Sequence, residues 1–203
     1  MNRPPSNRME LLAVKKKKKL ATTGHQLLTK KRDALIQHFF SYVKEYKRLA
    51  SDVTQQLQEA YTQLHVAQAV SGVNRVKSLA YSTQESFLTT YTEKNLMGVR
   101  INALELQTQA VKHNASLIGI SEYVMQAQKQ FQTVVPLLVK LAEIEQTIYA
   151  LAEEIRKTKR RVNALEHIYI PELESTQKTI AQELAERERE EFTRLKHIKE
   201  HGR

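Results

Sequence analysis

Residues 35–64 read LIQHFFSYVKEYKRLASDVTQQLQEAYTQL, and the apolar positions within them, Leu35, Phe39, Tyr42, Tyr46, Leu49, Val53, Leu57, Ala60 and Leu64, recur in steps of three and four. That spacing places one stripe along a single helical face. The two successive four-residue steps at Leu49–Val53–Leu57 form a stutter, which locally unwinds a heptad supercoil. Extended toward the N-terminus, the same row continues through Leu28, Ala21, Val14 and Leu11, with steps of seven where a polar position intervenes. From Met9 to about Val70 there is no Pro and a single Gly. One long amphipathic helix is therefore predicted over the first 70 residues.

The last third repeats the pattern. Leu141, Ile144, Ile148, Leu151, Ile155, Val162, Leu165, Tyr169, Leu173, Thr176, Ile180 and Leu184 carry the stripe, and Phe192, Leu195 and Ile198 extend it. Pro171 lacks an N–H and its ring collides with the carbonyl four residues back, so a bend is expected near Ile168, with helix resuming beyond it. Each arm spans about 60 residues, roughly 90 Å at 1.5 Å rise per residue. A narrow stripe needs one partner stripe. The expectation is a mainly α protein in which the arms, residues 1–70 and 137–203, fold back as a long antiparallel two-helix coiled coil, giving a rod. Matching the arms end to end makes residue numbers across the seam sum to roughly 207. Leu64 would then lie near Ile144, Leu28 near Ile180, and Lys15–Lys19 level with Glu186–Glu191.

The middle, residues 71–136, loses the heptad. Ser71-Gly72 and Met97-Gly98 punctuate it, and Phe87–Thr92 and Gly98–Leu106 can form a short β-hairpin turning around Lys94-Asn95. Helix is expected again over Ser121–Thr133, with Pro136 as a boundary before the second arm. The middle reads as a small head between the arms.

Composition narrows the chemistry. The 203 residues include no Cys and no Trp, five Gly and four Pro. Thiolate nucleophiles, disulfides and Cys-based metal sites are thereby excluded, and frequent-turn β architectures are disfavoured. No apolar run approaches the roughly 18 residues of a membrane-spanning helix, so a cytoplasmic location is expected. Net charge is +10, and residues 1–70 carry 13 basic against 5 acidic residues, whereas residues 137–203 carry 13 of each. Such an excess invites an acidic partner. Lys15–Lys19 encircle the helix, with Lys18 on the seam itself. A basic coiled-coil scaffold binding nucleic acid or an anionic membrane surface is the alternative reading, but no aromatic platform or DNA-binding motif accompanies the lysines.

Phosphate loops of the G-x-x-x-x-G-K-[ST] and G-x-G-x-x-G types are missing. His197-Ile198-Lys199-Glu200-His201 matches an H-x-x-E-H zinc pattern, but it lies at the end of an arm, where a third ligand and a supporting shell are not expected. It is read as accidental. Paired carboxylates such as Glu153-Glu154 and Glu190-Glu191 alternate with Arg and Lys, as solvated i,i+4 pairs do. No cofactor or metal is called for. Asn114-Ala115-Ser116 fits a glycosylation sequon, which carries no weight without a secretory signal.

Several segments together resemble the D subunit of the V-type and archaeal-type (A-type) rotary ATPases: Arg8-Met9-Glu10-Leu11, Gly24-His25-Gln26-Leu27-Leu28, Lys30–Leu35, Asn95-Leu96-Met97-Gly98-Val99, Lys157-Thr158-Lys159-Arg160-Arg161-Val162-Asn163-Ala164-Leu165-Glu166 up to Ile170-Pro171, and Glu188–Phe192. The resemblance covers the chain in order. It departs where Pro5-Ser6-Asn7 precedes Arg8-Met9, and in the density of the lysine run. It implies a non-catalytic central-stalk rotor shaft, peripheral to the membrane. Its arms would penetrate the ring of catalytic A and B subunits, and its middle would hold the F subunit and the funnel subunit (C/d) above the membrane rotor. On this resemblance Arg8, Lys15, Lys18, Leu96, Met97, Gly98, Lys157, Arg160 and Arg161 are expected to meet partners. Direct nucleic-acid binding and membrane insertion are not expected.

Overall fold

The structure, a computed structural model, describes residues 7–82, 87–108 and 121–201. The sequon at Asn114 and the Pro5-Ser6 departure lie outside these residues. Along the chain run α1 (Arg8–Ser71), α2 (Val73–Ser82), β1 (Phe87–Leu96), β2 (Val99–Thr108), α3 (Glu122–Ala164), a π-helical turn (Leu165–Tyr169) and α4 (Ile170–His201). The protein is mainly helical, with one two-stranded antiparallel sheet in its middle.

Local chemistry sets the ends of α1. Asn7 Oδ1 accepts from the Glu10 N–H at 2.6 Å, satisfying one of the free donors of the first turn. At the other end Gly72 adopts φ +82°, a left-handed cap that suits glycine, and its N–H donates to the Gln68 carbonyl at 2.9 Å.

Two compact units can be described. The first comprises residues 1–34 and 155–203. Its core is Val14, Leu173 and Ile180, flanked by Leu11, Ala21 and Leu184. Lys18 pairs with Glu174 at 3.1 Å and His25 with Glu166 at 3.5 Å, and Arg8 meets Glu188. Partner numbers fall as α1 numbers rise, so the packing is antiparallel. The register differs from end-to-end matching: Ile180 packs on Val14 and not Leu28, and Lys18 stands against Glu174, about four helical turns away from the expected level. The expected pairing assumed that apolar residues to the end of the arm belong to the seam. They do not, because α4 is exposed throughout residues 185–200.

The second unit is residues 35–154. Leu35, Ala60, Ala67, Val134 and Leu151 are fully buried, with Val53, Ala127 and Ile144 close behind. Burying a leucine of this kind stabilises by about 1.5–3 kcal/mol. Tyr61 meets Phe131 edge to face, ring centres 5.7 Å apart. Here too the register is shifted: Ile144 shares a cavity wall with Tyr42, not Leu64.

Three details of this unit depart from expectation. The strands are ten residues each and the turn is Met97-Gly98, with Leu96 opposite Val99, not Lys94-Asn95. Both turn residues have positive φ, 53° and 86°, the geometry of two-residue hairpins. Asn95 Oδ1 accepts from the Gly98 N–H at 2.8 Å and closes it. Pro136 lies inside α3 and ends nothing. Its missing N–H leaves the Gln132 carbonyl without its helical donor, a local loss that the packing of Val134 and its neighbours outweighs.

Before Pro171, where a bend is expected, the structure has a π-helical turn. The chain widens into the π turn, and the Ile170 N–H reaches back five residues to the Leu165 carbonyl. That wider ring accommodates the proline, and α4 resumes from Ile170.

Candidate partner-facing surfaces

In the first unit α1 has two apolar faces. One, through Leu11, Val14 and Ala21, is packed. The other carries Met9, Leu12, Leu20 and Leu27, all exposed, Leu20 at 75%. At 100° per residue these four fall on one side of α1, roughly opposite the packed one. On α4, Phe192, Leu195 and Ile198 were expected to extend the seam, but they are 73%, 65% and 62% exposed. Their i, i+3, i+6 spacing makes a second uncovered strip. The α1 strip was missed in the sequence because a stripe search assigns one apolar face per helix. Its signal is the four leucine and methionine positions left over once the seam is subtracted.

Basic groups surround this strip. Lys15, Lys16, Lys17 and Lys19 are exposed, and half-buried Lys18 is committed to Glu174. Arg8 is held by Glu188 of the same chain. That hydrogen bond first, and the carboxylate's charge second, raise the guanidinium's pKa, so the cation is permanent. In Lys157–Glu166, Thr158 and Val162 are buried, and Lys157, Arg160 and Arg161 are exposed.

The hairpin of the second unit is docked through β2. Val99, Ile101 and Ala103 are buried, whereas Arg100 and Asn102 alternate outward. Beneath the tip is a cavity of about 450 Å3 whose wall includes Tyr42, Glu45, Lys94, Leu96, Lys140 and Glu143. Leu96 is half-buried there, so it serves the unit's own packing. Met97 is 44% exposed and Gly98 is exposed. The structure thus separates two neighbours that the sequence treated alike.

Among the described residues, no group of three or more His, Cys, Asp or Glu side chains could hold a metal ion, and no helix is long and apolar enough to cross a membrane. Glu200 of the H-x-x-E-H segment pairs with Lys196 at 3.9 Å.

Antiparallel helices that keep a thin core and leave long apolar and basic strips uncovered define a helical assembly component, a class whose surfaces exceed what its own folding uses. Comparison with known proteins makes the class specific. Residues 10–200 match the family model for the D subunit of ATP synthase. The D subunits of the A-type ATP synthases of Pyrococcus horikoshii and Pyrococcus furiosus are each 40% identical over 195 residues, covering 95% of this chain and 91% of the relative. That of Methanopyrus kandleri is also 40% identical, over 95% of this chain and 84% of its own length. The chain belongs to the family of ATP synthase D subunits.

Proposed function

We propose that this chain is the central-stalk shaft of an A-type rotary ATPase, coupling ATP turnover in a ring of A and B subunits to a membrane ion-translocating rotor. The uncovered apolar strips of the terminal unit carry this reading. Met9, Leu12, Leu20 and Leu27 on α1, with Phe192, Leu195 and Ile198 on α4, suit a shaft end that turns inside a protein sleeve, where apolar contacts without directional hydrogen bonds can form and break at each angle. The strips are uneven, with lysines beside the α1 strip and mixed charge beside that on α4. Unequal contact with three equivalent catalytic sites favours a different conformation in each, and rotation exchanges them.

In this reading the chain contributes no catalytic group, and nucleotide chemistry belongs to the A and B subunits. Met97 and Gly98, at the exposed hairpin tip, join the surface that receives the F subunit or the funnel subunit (C/d). Lys157, Arg160 and Arg161, all exposed, face partners. The protein is peripheral to the membrane.

The test is recovery of tagged chain from its native membrane, with A, B and F subunits expected alongside it. Leu20→Asp with Leu27→Asp should reduce A and B recovery at least tenfold while circular dichroism stays helical, since central apolar anchors commonly carry about 2 kcal/mol or more, roughly thirtyfold in affinity. Met97→Asp should spare A and B and weaken capture of the F or funnel component. Recovery without ATPase subunits, or A and B capture untouched by the leucine changes, would overturn the reading.

A further inference from the structure

The seam of the first unit contains a feature that stability alone does not call for. Val14, Ala21 and Leu28 are seven residues apart, and so are Leu173 and Ile180 on the facing helix. A slide of one helix by seven residues therefore sets one apolar row against another, and Ile180 would leave Val14 for Ala21. Apolar contacts discriminate weakly between such registers.

The intervening row on α1 is also spaced by seven, but it is polar: Lys18, His25 and Arg32. Two of the three meet a carboxylate across the seam in the observed register, Lys18 with Glu174 at 3.1 Å and His25 with Glu166 at 3.5 Å. The two acids are eight residues apart and follow the antiparallel course of Lys18 and His25. One heptad further, Arg32 bonds its own neighbour Asp33 at 3.0 and 2.8 Å. Continuing the register brings Arg32 level with Lys159, a like charge.

Half-buried polar side chains on a seam weaken it relative to leucine, and a polar seam residue is a well-attested device for choosing register. A seven-residue slide in one direction would set Lys18 level with Ala181 and His25 level with Leu173. In the other direction Lys18 would meet His167 and His25 would meet Lys159. Neither alternative gives Lys18 or His25 a carboxylate at its own level, whereas the observed register sets one against each of them at once. We infer that Lys18–Glu174 and His25–Glu166 form a register lock that selects one alignment of the terminal helices among heptad-related alternatives, at some cost in seam stability.

The chain has no cysteine, so cross-linking can read the register in the full-length protein without background. Val14→Cys with Ile180→Cys joins residues that share the core cluster. Val14→Cys with Arg187→Cys reports a slide of one heptad. On the otherwise unaltered chain the first pair should cross-link faster than the second by about tenfold or more, the discrimination that one partly shielded ion pair and a second polar contact can supply. Lys18→Leu with His25→Leu should raise the melting temperature yet erase most of that preference. Lys18→Glu should also lower the preference, and Lys18→Glu with Glu174→Lys should restore it. A leucine variant that melts higher and keeps the full preference for 14–180 would overturn the lock. If the leucine variant does not fold, the charge pair decides: equal preference in Lys18→Glu and in the swapped variant would overturn it as firmly.

Discussion

Met97 holds φ at 53° in the hairpin turn, a conformation that costs a side chain with a Cβ about 1–2 kcal/mol and a glycine almost nothing. Met97→Gly should therefore stabilise the folded chain by up to about 1 kcal/mol after the added freedom of the unfolded state is subtracted, read as a rise in thermal midpoint. If Met97 also meets a partner, the same variant will bind that partner less well while melting higher. This residue also shows where the sequence stops being informative. Asn, Asp and Gly mark turns, and methionine does not, so Lys94-Asn95 drew the prediction two residues early. Asn95 does take part, but as the side-chain acceptor for Gly98 and not as a turn residue. Leu96 and Met97 looked equivalent as exposed apolar anchors, and only the alternation of a strand, fixed once the turn is known, turns Leu96 inward.

At the scale of elements the helices were legible and their interruptions were not. The stripe from Leu11 to Leu64 and its counterpart from Leu141 to Leu184 predicted long helices, because a 3.6-residue period sustained over many turns fits hardly any conformation but the α-helix. The two prolines behaved differently from each other. Pro171 is accommodated by a π turn, and Pro136 sits within α3. Sequence gives both the same penalty, while the outcome depends on packing that no local pattern displays. Pro136→Ala should return a donor to the Gln132 carbonyl and stabilise by about 1–3 kcal/mol, visible as a higher denaturation midpoint with unchanged partner capture. Register was the least legible property. Heptad rows repeat, and Lys18 and His25 point to their partners only when Glu174 and Glu166 are already known to be opposite.

Across the whole molecule, the family was legible from dispersed residues, and the segment Lys157–Glu166 explains why. Thr158 and Val162 are buried while Lys157, Arg160 and Arg161 are exposed, so two separate demands act on ten consecutive positions. The distal end of α4 was misread, because Phe192, Leu195 and Ile198 have the spacing of a seam but are exposed, with no helix opposite them among the described residues. A chain ending after Ala185 should accordingly fold almost as stably as the full chain. The principal loss in the described contacts is the exposed Arg8–Glu188 pair, and such pairs contribute about 0.2–1 kcal/mol. Melting would move by only a few degrees, while in the proposed shaft role capture of A and B subunits would fall. A large drop in melting temperature would instead assign residues 186–203 a part in the fold.

The same bare strips have a consequence for how the cell keeps its subunits in proportion. In the proposed shaft role, a newly made copy displays Leu20, Leu27, Phe192 and Leu195 to water until its sleeve arrives, so copies made in excess of their partners are prone to cluster. Synthesis in step with the ring subunits, or prompt removal of orphans by proteases, keeps that interval short. The contact surface thereby doubles as a mark of incomplete assembly, one that disappears when the complex is finished.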